Sequence, residues 1–428
     1  MSRFDRLVAE PGGDDASPCL ADEVLHLADT LRERSIPLRV ADLVRLLGDD
    51  RSLDEADQRA WDDFCRLVIA TFHHEFLEQL LVLKDRYAPL DPDGEWRRLD
   101  GISPSRTEDC DERFMKTFED VLVRANYRPM DLEVLDEAIR APNERGLTYV
   151  PNLNLFEHLR VYVRGNTTLT RNVRTWNSRF RKRKIKLEAY RRLIVAIKFQ
   201  PGKHLGEYAR SDVLYLRLFK DVPHVDMEMH LPEQGTKVRM RLVDKAQIAS
   251  PMMTGLPLLA AKIFLGLASP FAVGVLIAPF SAGVNSFFGF QRARQRHLHR
   301  MIRHLYYLTM ANNSCVIHRL IDSAEEEDTK EAILAYFVLW RNDNDGLPWT
   351  QERLDAAVEG LLRDRAGLSI DFEIGDALHK LIRFGLVRCD DQHHLHAVPI
   401  DEALVLLDRR WDRIFPYHDR NAAGPESQ

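Results

Sequence analysis

The segment RLIVAIKF, residues 192–199, decides the fold. It contains five consecutive apolar residues and no Gly or Pro, a composition and length typical of a buried β-strand. Three other stretches carry β-branched residues or alternating apolar and polar residues over the length of a strand: LRVYVRG (159–165), VLYLRLF (213–219) and KVRMRLV (237–243). The sequence therefore predicts a small central β-sheet within residues 148–250.

The last two of these stretches are separated by DVPHVDMEMHLP, residues 221–232. Asp221 suits the N-cap of a helix, and Pro223 suits the first helical turn. We therefore predict a short crossing helix, so that residues 148–250 form an α+β sheet domain.

Residues 19–147 are predicted to form a helical domain, because apolar residues recur there at spacings of three and four. The longest such pattern runs from about Ser52 to Tyr87, and a second runs from about Asp111 to Ala125. The stripe of the first pattern includes Trp61, Phe64, Val68, Phe72, Phe76, Leu80 and Leu83. Residues 1–18 and 419–428, which are polar and rich in Gly, Pro and acids, are predicted to be disordered.

The composition restricts the class of protein. A net charge of −6 over 428 residues argues against nucleic-acid binding by the chain as a whole, but not against a local basic face. The five cysteines are scattered and form no CxxC pair, which indicates a reducing compartment and no zinc or disulfide framework. The N-terminus has no apolar run typical of a signal peptide, so we expect a location on the cytosolic side.

An apolar segment covers residues 251–290, where Lys262 is the only charged residue. A bilayer-spanning helix needs about 20 such residues, so the sequence predicts a membrane segment, either a single span over 263–284 or a helical hairpin turning near Ser269. Small residues at one helical face would suit close packing of two helices in lipid: Gly274, Ala278 and Ala282.

Basic residues flank this segment on both sides, and positive charge favours the cytosolic side of a membrane. The pattern favours the hairpin, although that topology places Lys262 deep in the bilayer. The flanking basic residues include Arg239, Arg241 and Lys245 before the segment and Arg292, Arg294 and Arg296 after it.

The C-terminal third is predicted to begin with a basic helix, residues 291–324, followed by a winged-helix-like domain, residues 325–418. Three helical patterns precede two short strands around CDDQHHLHAVP, and a last helix closes the domain. Residues 325–420 contain 21 acidic residues and 12 Lys or Arg, a net charge of −9. DNA would be repelled by that excess, so we expect this domain to contact protein.

The strongest local charge feature lies between Arg179 and Lys203, where ten Lys or Arg stand against one acid, Glu188. Such a patch can bind anionic lipid or RNA, and a solvated loop is the simplest alternative. We favour lipid over nucleic acid, with the contact made by Arg181, Lys182, Arg183, Lys184 and Lys186.

Two histidine clusters have ligand-like spacing but weak support as metal sites. His224, Asp226, Glu228 and His230 would share a face on a strand but scatter on the predicted helix. His393, His394 and His396 lie near Asp390 in the predicted wing, where a polar hairpin tip explains them without a metal. There is no phosphate-binding loop and no nucleophile-elbow motif, and we predict no catalytic residue, metal or cofactor.

The order of FEHLRVYVRG, AYRRLIVAIKF, LYLRLFKDVPHVDMEMHLP and VRMRLVDK, with IDFEIGDALHKLIRFGLV and LLDRRWDRIF near the end, resembles the family of transmembrane protein 143. That family is defined by a domain of unknown function, number 3754. The resemblance covers roughly residues 110–415. It implies membrane association by about two helices, and the missing transit peptide suggests a bacterial-type member. The family has no established catalytic residues to carry over.

The predicted fold class is therefore α+β, with an N-terminal helical region, a central sheet with a crossing helix, a membrane helical hairpin and a winged-helix-like end. We expect a non-enzymatic scaffold or interaction protein at the cytoplasmic face of a membrane (the bacterial inner membrane, or a mitochondrial membrane in a eukaryote). Its expected partners are membrane lipid and other proteins, with nucleic acid disfavoured. The alternative is an enzyme or regulator acting on lipid or another anionic substrate, which would need a deep polar pocket joining basic residues to an acid or histidine.

Overall fold

A computed structural model describes residues 33–50, 53–95, 109–133, 135–136, 148–151, 153–174, 182–202, 209–224, 227, 236–239, 306–341 and 347–415. The α-helices with complete bounds in these ranges are α1 Val40–Gly48, α2 Glu55–Tyr87, α3 Cys110–Arg124, α4 Ser314–Arg341, α5 Gln351–Ala366, α6 Ile374–Arg383 and α7 Ile400–Asp412. The strands in the same ranges are β1 Arg128–Pro129, β2 Thr148–Pro151, β3 Phe156–Arg174, β4 Lys182–Phe199, β5 Tyr215–Pro223, β6 Thr236–Arg239, β7 Thr309–Asn312, β8 Val387–Cys389 and β9 Leu395–Ala397.

The chain divides into two compact units. The central unit comprises residues 69–328, and the terminal unit comprises residues 1–68 with 329–428.

A five-stranded antiparallel sheet in the order β1-β3-β4-β5-β7 organises the central unit. One face of β4 packs into a cluster with Leu159, Val161 and Phe219. Ile194 and Ala196, which alternate with that face, are also buried. Both faces of β4 are therefore covered. This explains why residues 193–197, LIVAI, are all apolar instead of alternating with polar residues.

Helices α2 and α3 supply further packing in the central unit. The ring of Phe118 in α3 lies edge-on to Tyr162 in β3 at 6.5 Å. The hydroxyl of Tyr87, at the end of α2, donates a 2.7 Å hydrogen bond to the Leu214 carbonyl beside β5. Since Tyr87 is buried, this bond satisfies a polar group that would otherwise be costly to bury.

The terminal unit contains the element order predicted for a winged helix, since α4, α5 and α6 are followed by the hairpin β8–β9 and by α7. The amide of Leu395 in β9 donates to the carbonyl of Trp349, so the chain just before α5 lies beside the hairpin as a third strand would. Tyr336 in α4 donates a 2.8 Å hydrogen bond to the Val398 carbonyl and ties the first helix to the end of the wing.

The chain before α1 covers the start of α6 in this unit. Glu33 forms a parallel bridge with Ile370, and the guanidinium of Arg34 binds Asp371 at 3.2 Å and also contacts Glu373. Lys380 of α6 is buried and binds Glu331 at 2.9 Å and Asp376 at 2.7 Å. The Lys380–Glu331 pair is therefore buried, whereas Arg34 and Asp371 remain 41% and 38% exposed.

Three acids lie together near α5 and give the terminal unit a pH dependence. Burial raises the pKa of Asp355 to about 6, and the charges of Glu359 and Asp371 add to the increase. The unfolded carboxyl titrates near 3.8, so the stability associated with this group is complete below that pH and is lost as the pH rises through about 6.

Changing Asp355→Asn should therefore stabilise the protein at pH 7 by roughly 1 kcal/mol, after allowing for solvent screening, and should have little effect near pH 4. Urea unfolding at both pH values measures the difference. Asp364→Asn, an exposed change on the same helix, is the control and should alter stability by under about 0.5 kcal/mol at either pH. An equal effect of Asp355→Asn at the two pH values would contradict the assignment.

No helix in the described ranges is long and apolar enough to cross a membrane. The helices that exceed the roughly 20 residues of a span, α2 and α4, carry charges along their length, such as EEED at 325–328, which would be costly in hydrocarbon. This finding contradicts the predicted membrane helical hairpin, and the fold class is corrected to mixed α+β with a five-stranded antiparallel sheet. The segment on which the hairpin prediction rests, 251–290, lies outside the described residues.

Two further predictions differ from the structure. Residues 221–223 belong to β5 rather than to a helix, and Asp221 adopts a positive φ of 50° instead of capping a first turn. The predicted basic helix over 291–324 contains a strand, Thr309–Asn312, before α4 begins at Ser314. In both places the strand is fixed by pairing with a distant partner, which local helical spacing does not reveal.

Candidate anion-binding ribbon

A two-stranded ribbon extends beyond the central sheet. Strands β3 and β4 pair from Phe156–Phe199 to Arg174–Lys182, whereas β5 pairs with β4 only as far as Ala189. In the described part of the chain, residues 166–174 and 182–188 therefore pair only with each other. We call these two segments the basic ribbon.

Two residues with a positive φ lie near the start of the ribbon. The β3–β4 ladder keeps one register from Arg164–Arg192 to Asn166–Tyr190, and Gly165 between these pairs has a φ of 65°, which glycine adopts without a steric penalty. On the other side of β4, Asp221 of β5 also has a positive φ, 50°. Strand β5 ends two residues later, at Pro223 opposite Ala189, and beyond that pair β3 and β4 continue as the ribbon.

The polar face of the ribbon is made by alternate residues, since successive strand residues point to opposite faces. Thr170 is paired with Lys186, and Thr168 is paired with Glu188. These four side chains, and Lys184 on the same face, are exposed. The opposite face carries the paired, half-buried Leu169 and Leu187, so the ribbon is amphipathic.

The positive charge of this face is not neutralised locally. Lys184 and Lys186 have no acidic group within ion-pair distance in the described ranges, and the exposed carboxylate of Glu188 lies 4.0 Å from His224. Over 166–188 the sequence has one acid, Glu188, against eight basic residues: Arg171, Arg174, Arg179, Arg181, Lys182, Arg183, Lys184 and Lys186. A local excess of positive charge of this kind attracts anionic ligands.

A neutral histidine, His224, lies beside the first residues of the ribbon. The ring of His224 lies 4.1 Å from the ring of Tyr190, centroid to centroid. Burial lowers the pKa of His224, although the nearby Glu188 opposes the change. Of the four predicted ligands His224, Asp226, Glu228 and His230, only His224 lies in the described ranges, and the other three lie outside them.

The predicted lipid contacts fall on the ribbon or next to it. Lys184 and Lys186 are exposed on β4, and Lys182 and Arg183 begin that strand. From Lys182 onward the basic run is therefore a strand, not the solvated loop considered as its simplest alternative. Arg181 lies outside the described residues.

The other predicted site residues lie almost entirely outside the described ranges. Arg239 ends β6. The remainder are Arg241, Lys245, Arg292, Arg294 and Arg296 among the flanking basic residues and Gly274, Ala278 and Ala282 among the packing residues.

The histidines of the predicted wing lie beside a turn that Asp390 stabilises. The carboxylate of Asp390 accepts hydrogen bonds from the backbone amides of Gln392 at 2.9 Å and His394 at 2.7 Å. These hydrogen bonds lower the pKa of Asp390, and the bond from the His394 amide has the larger effect. His396 Nε2 lies 3.7 Å from the same carboxylate, so one aspartate organises the polar hairpin tip.

A second charge cluster was missed by sequence reasoning. Asp111, Glu157 and His158 lie close enough to share a cation, but Lys198 supplies one: its ammonium binds Asp111 and, at 2.8 Å, Glu157. Burial opposes the charged lysine, yet the two carboxylates raise its pKa overall. Lys198 is 7% exposed, so the cluster is an internal ion pair and an unsuitable metal site.

The region around the ribbon matches a known family model. Residues 156–315 match a family described as protein of unknown function (DUF3754), and this range includes the whole ribbon. No solved structure matches the chain. The chain therefore carries the domain of unknown function that defines this family, in residues 156–315.

Proposed function

We propose that this protein is a non-enzymatic interaction protein whose basic ribbon contacts anionic lipid headgroups at a membrane surface. The observation that carries the proposal is the exposed pair Lys184 and Lys186, which has no local counter-ion in the described ranges. Each Lys or Arg near an anionic surface contributes about 1 kcal/mol. Several such residues on one ribbon attract the surface together. Charges elsewhere on the chain are screened by salt, so the overall charge of −6 does not cancel this local attraction.

The enzyme alternative required a pocket joining basic residues to an acid or histidine. The described cluster closest to that requirement is Lys198 with Asp111 and Glu157. Because Lys198 is buried and held by two carboxylates, it is not a free base or nucleophile. This observation favours the interaction protein over an enzyme acting on lipid.

The terminal unit is proposed to contact other proteins. Arg34 binds Asp371 and Glu373 at the start of α6, where a winged helix would approach a DNA groove. Lys380 of the same helix is buried and cannot reach phosphates. With an acidic excess over 325–420, this surface suits protein rather than nucleic acid.

The finer family assignment is also a proposal. The order of the segments from FEHLRVYVRG to LLDRRWDRIF supports a relationship to transmembrane protein 143 and a bacterial-type member. Four cysteines in the described ranges form no disulfide, namely Cys65, Cys110, Cys315 and Cys389. Reduced thiols suit a reducing compartment, which supports contact with the cytoplasmic face of a membrane.

Neutralising the ribbon should weaken lipid binding strongly. We expect Gln at positions 181, 182, 183, 184 and 186 to reduce the affinity of the full chain for phosphatidylserine vesicles on the order of 100-fold or more, because about five favourable charge contacts are lost. Vesicle co-sedimentation measures the effect. Binding of the unchanged chain should also fall as salt rises from about 0.1 M to about 1 M, since the Debye length shrinks from about 10 Å to about 3 Å.

A matched control changes five exposed arginines of the terminal unit to Gln: Arg59, Arg66, Arg363, Arg388 and Arg409. This variant loses the same charge and should retain most of the vesicle affinity. Equal losses in the two variants would show that net charge, not the ribbon, drives binding. Retention of RNA by the unchanged chain with no affinity for vesicles would replace lipid by nucleic acid as the partner.

A further inference from the structure

On the polar face of the ribbon, one threonine lies opposite a lysine and another threonine lies opposite a glutamate. Thr170 is the direct cross-strand neighbour of Lys186, and Thr168 is that of Glu188. Directly opposed residues have Cβ atoms about 4.5–5.5 Å apart. The Thr170 hydroxyl and the Lys186 ammonium can therefore reach one ligand, whereas the Thr168 hydroxyl lies beside a negative charge.

A phosphate monoester suits the first of these pairs. It presents three acceptor oxygens and a charge near −1.5 to −2 at neutral pH, while the ammonium offers three donors and the hydroxyl offers one. Hydrogen bonds to an ionised phosphate are also stronger than those between neutral groups. A phosphodiester or carboxylate headgroup carries less charge at one centre and gains less from the same donors.

Lys184 extends the pair along the strand. It lies on the same face as Lys186, two residues away, which places their Cα atoms about 6.7 Å apart. Both side chains are exposed and long enough to converge on a doubly charged group. The ribbon thus combines two ammonium groups and one hydroxyl on a single face.

We propose that Thr170, Lys184 and Lys186 form a contact that selects phosphate monoesters, so that the ribbon prefers headgroups with a terminal phosphate over other anionic headgroups of equal surface charge. This inference rests on the proposed function, in which the ribbon contacts anionic lipid. Phosphatidic acid, whose headgroup is a phosphate monoester, is the simplest lipid of this class.

Vesicles of phosphatidic acid and of phosphatidylserine, adjusted to the same zeta potential, test the proposal with the full chain. The unchanged protein should bind the phosphatidic acid vesicles about 5–10-fold more tightly. Thr170→Val retains a β-branched residue suited to a strand but removes the hydroxyl, and should reduce this preference to about 2-fold or less. Equal binding to both vesicles, or a preference that survives Thr170→Val, would overturn the inference.

The matched control is Thr168→Val, an identical change on the same strand and face opposite Glu188. It should leave the preference unchanged; a loss equal to that of Thr170→Val would overturn the assignment of the hydroxyl to the Lys186 pair. Circular dichroism and thermal unfolding of both variants establish that the ribbon-bearing unit remains folded.

The two proposals fail in different ways. If Lys184→Gln with Lys186→Gln weakens binding to both kinds of vesicle but Thr170→Val changes nothing, the selectivity is wrong and the lipid contact stands. If the lysine changes leave all vesicle binding intact, the proposed function itself is wrong.

Inorganic phosphate identifies the source of the ligand. At constant ionic strength, added phosphate should not release the protein from phosphatidic acid vesicles if the membrane surface supplies the ligand. Complete release at low phosphate, with chloride ineffective, would overturn the lipid source in favour of free phosphate.

Discussion

Changing Glu327→Gln is expected to lower the free energy of unfolding by about 3–5 kcal/mol, because it leaves a largely buried arginine without its counter-ion. Glu327 of α4 is fully buried, and its Oε1 lies 2.8 Å from Arg164, whose side chain is 15% exposed. Its other oxygen accepts a 3.5 Å hydrogen bond from the Asn126 amide. Gln occupies nearly the same volume, so the loss reflects charge rather than packing.

The neighbouring glutamate supplies the control. Glu326 stands next in sequence but is exposed, so Glu326→Gln should change stability by under about 0.5 kcal/mol. Urea unfolding followed by far-ultraviolet circular dichroism compares the two variants. Similar values for both would show that burial of Glu327 does not determine the effect.

Replacing both charged residues together distinguishes the effect of the ion pair on stability from its effect on the position of the ribbon. Arg164→Met with Glu327→Leu removes both charges and should recover much of the stability lost by Glu327→Gln, since apolar pairs often replace buried ion pairs at little cost. Arg164 immediately precedes Gly165, where the ribbon begins. If the ion pair holds the start of the ribbon in position, the paired replacement should recover stability but lower the affinity for anionic vesicles.

The sequence predicted the elements whose stability comes from local apolar spacing. The stripe on the long N-terminal helix was correct at six of its seven positions, since Trp61, Phe64, Val68, Phe72, Phe76 and Leu83 are buried and Leu80 is half-buried. The helix itself begins three residues later than predicted, at Glu55, and ends at Tyr87 as predicted. A repeated period of three and four residues carries this information within one segment.

Features defined by distant partners were not visible in the same way. Glu327 and Asp328 stand in a run of four acids at 325–328, yet they are buried because Arg164 and Arg124 approach from elsewhere in the chain. The ribbon escaped detection for a related reason. The alternation KIKLE at 184–188 is short and lies in a run rich in Lys and Arg, and the pairing joins residues on both sides of 175–181.

The sequence therefore predicted the charge of the candidate site but not its strand pairing. Ten basic residues between 179 and 203 identified the region, while the cross-strand pairing of Thr170 with Lys186 required the register. A one-residue change of register would have moved every lysine to the other face. Composition alone therefore supports attraction to anions, and only the ladder supports a selective contact.

A second large effect is expected in the terminal unit, where Trp61→Ala should lower the free energy of unfolding by about 3–5 kcal/mol. Trp61 is fully buried. Its ring lies 5.0 Å from Phe337, 5.6 Å from Phe64 and 5.8 Å from Trp340, measured between centroids. Truncation to Ala would remove the centre of this aromatic cluster and leave a cavity that the neighbouring rings fill only partly.

A smaller aromatic replacement tests whether packing, rather than hydrogen bonding, makes Trp61 important. The indole Nε1 is buried and has no hydrogen-bond partner in the described part of the chain, so removing it relieves a polar group that is costly to bury. Trp61→Phe loses some volume but retains the ring contacts, and should cost less than about 1.5 kcal/mol. Urea unfolding of the two variants gives the comparison. A loss with Phe as large as that with Ala would mean that the indole nitrogen, and not the packed ring, stabilises this core.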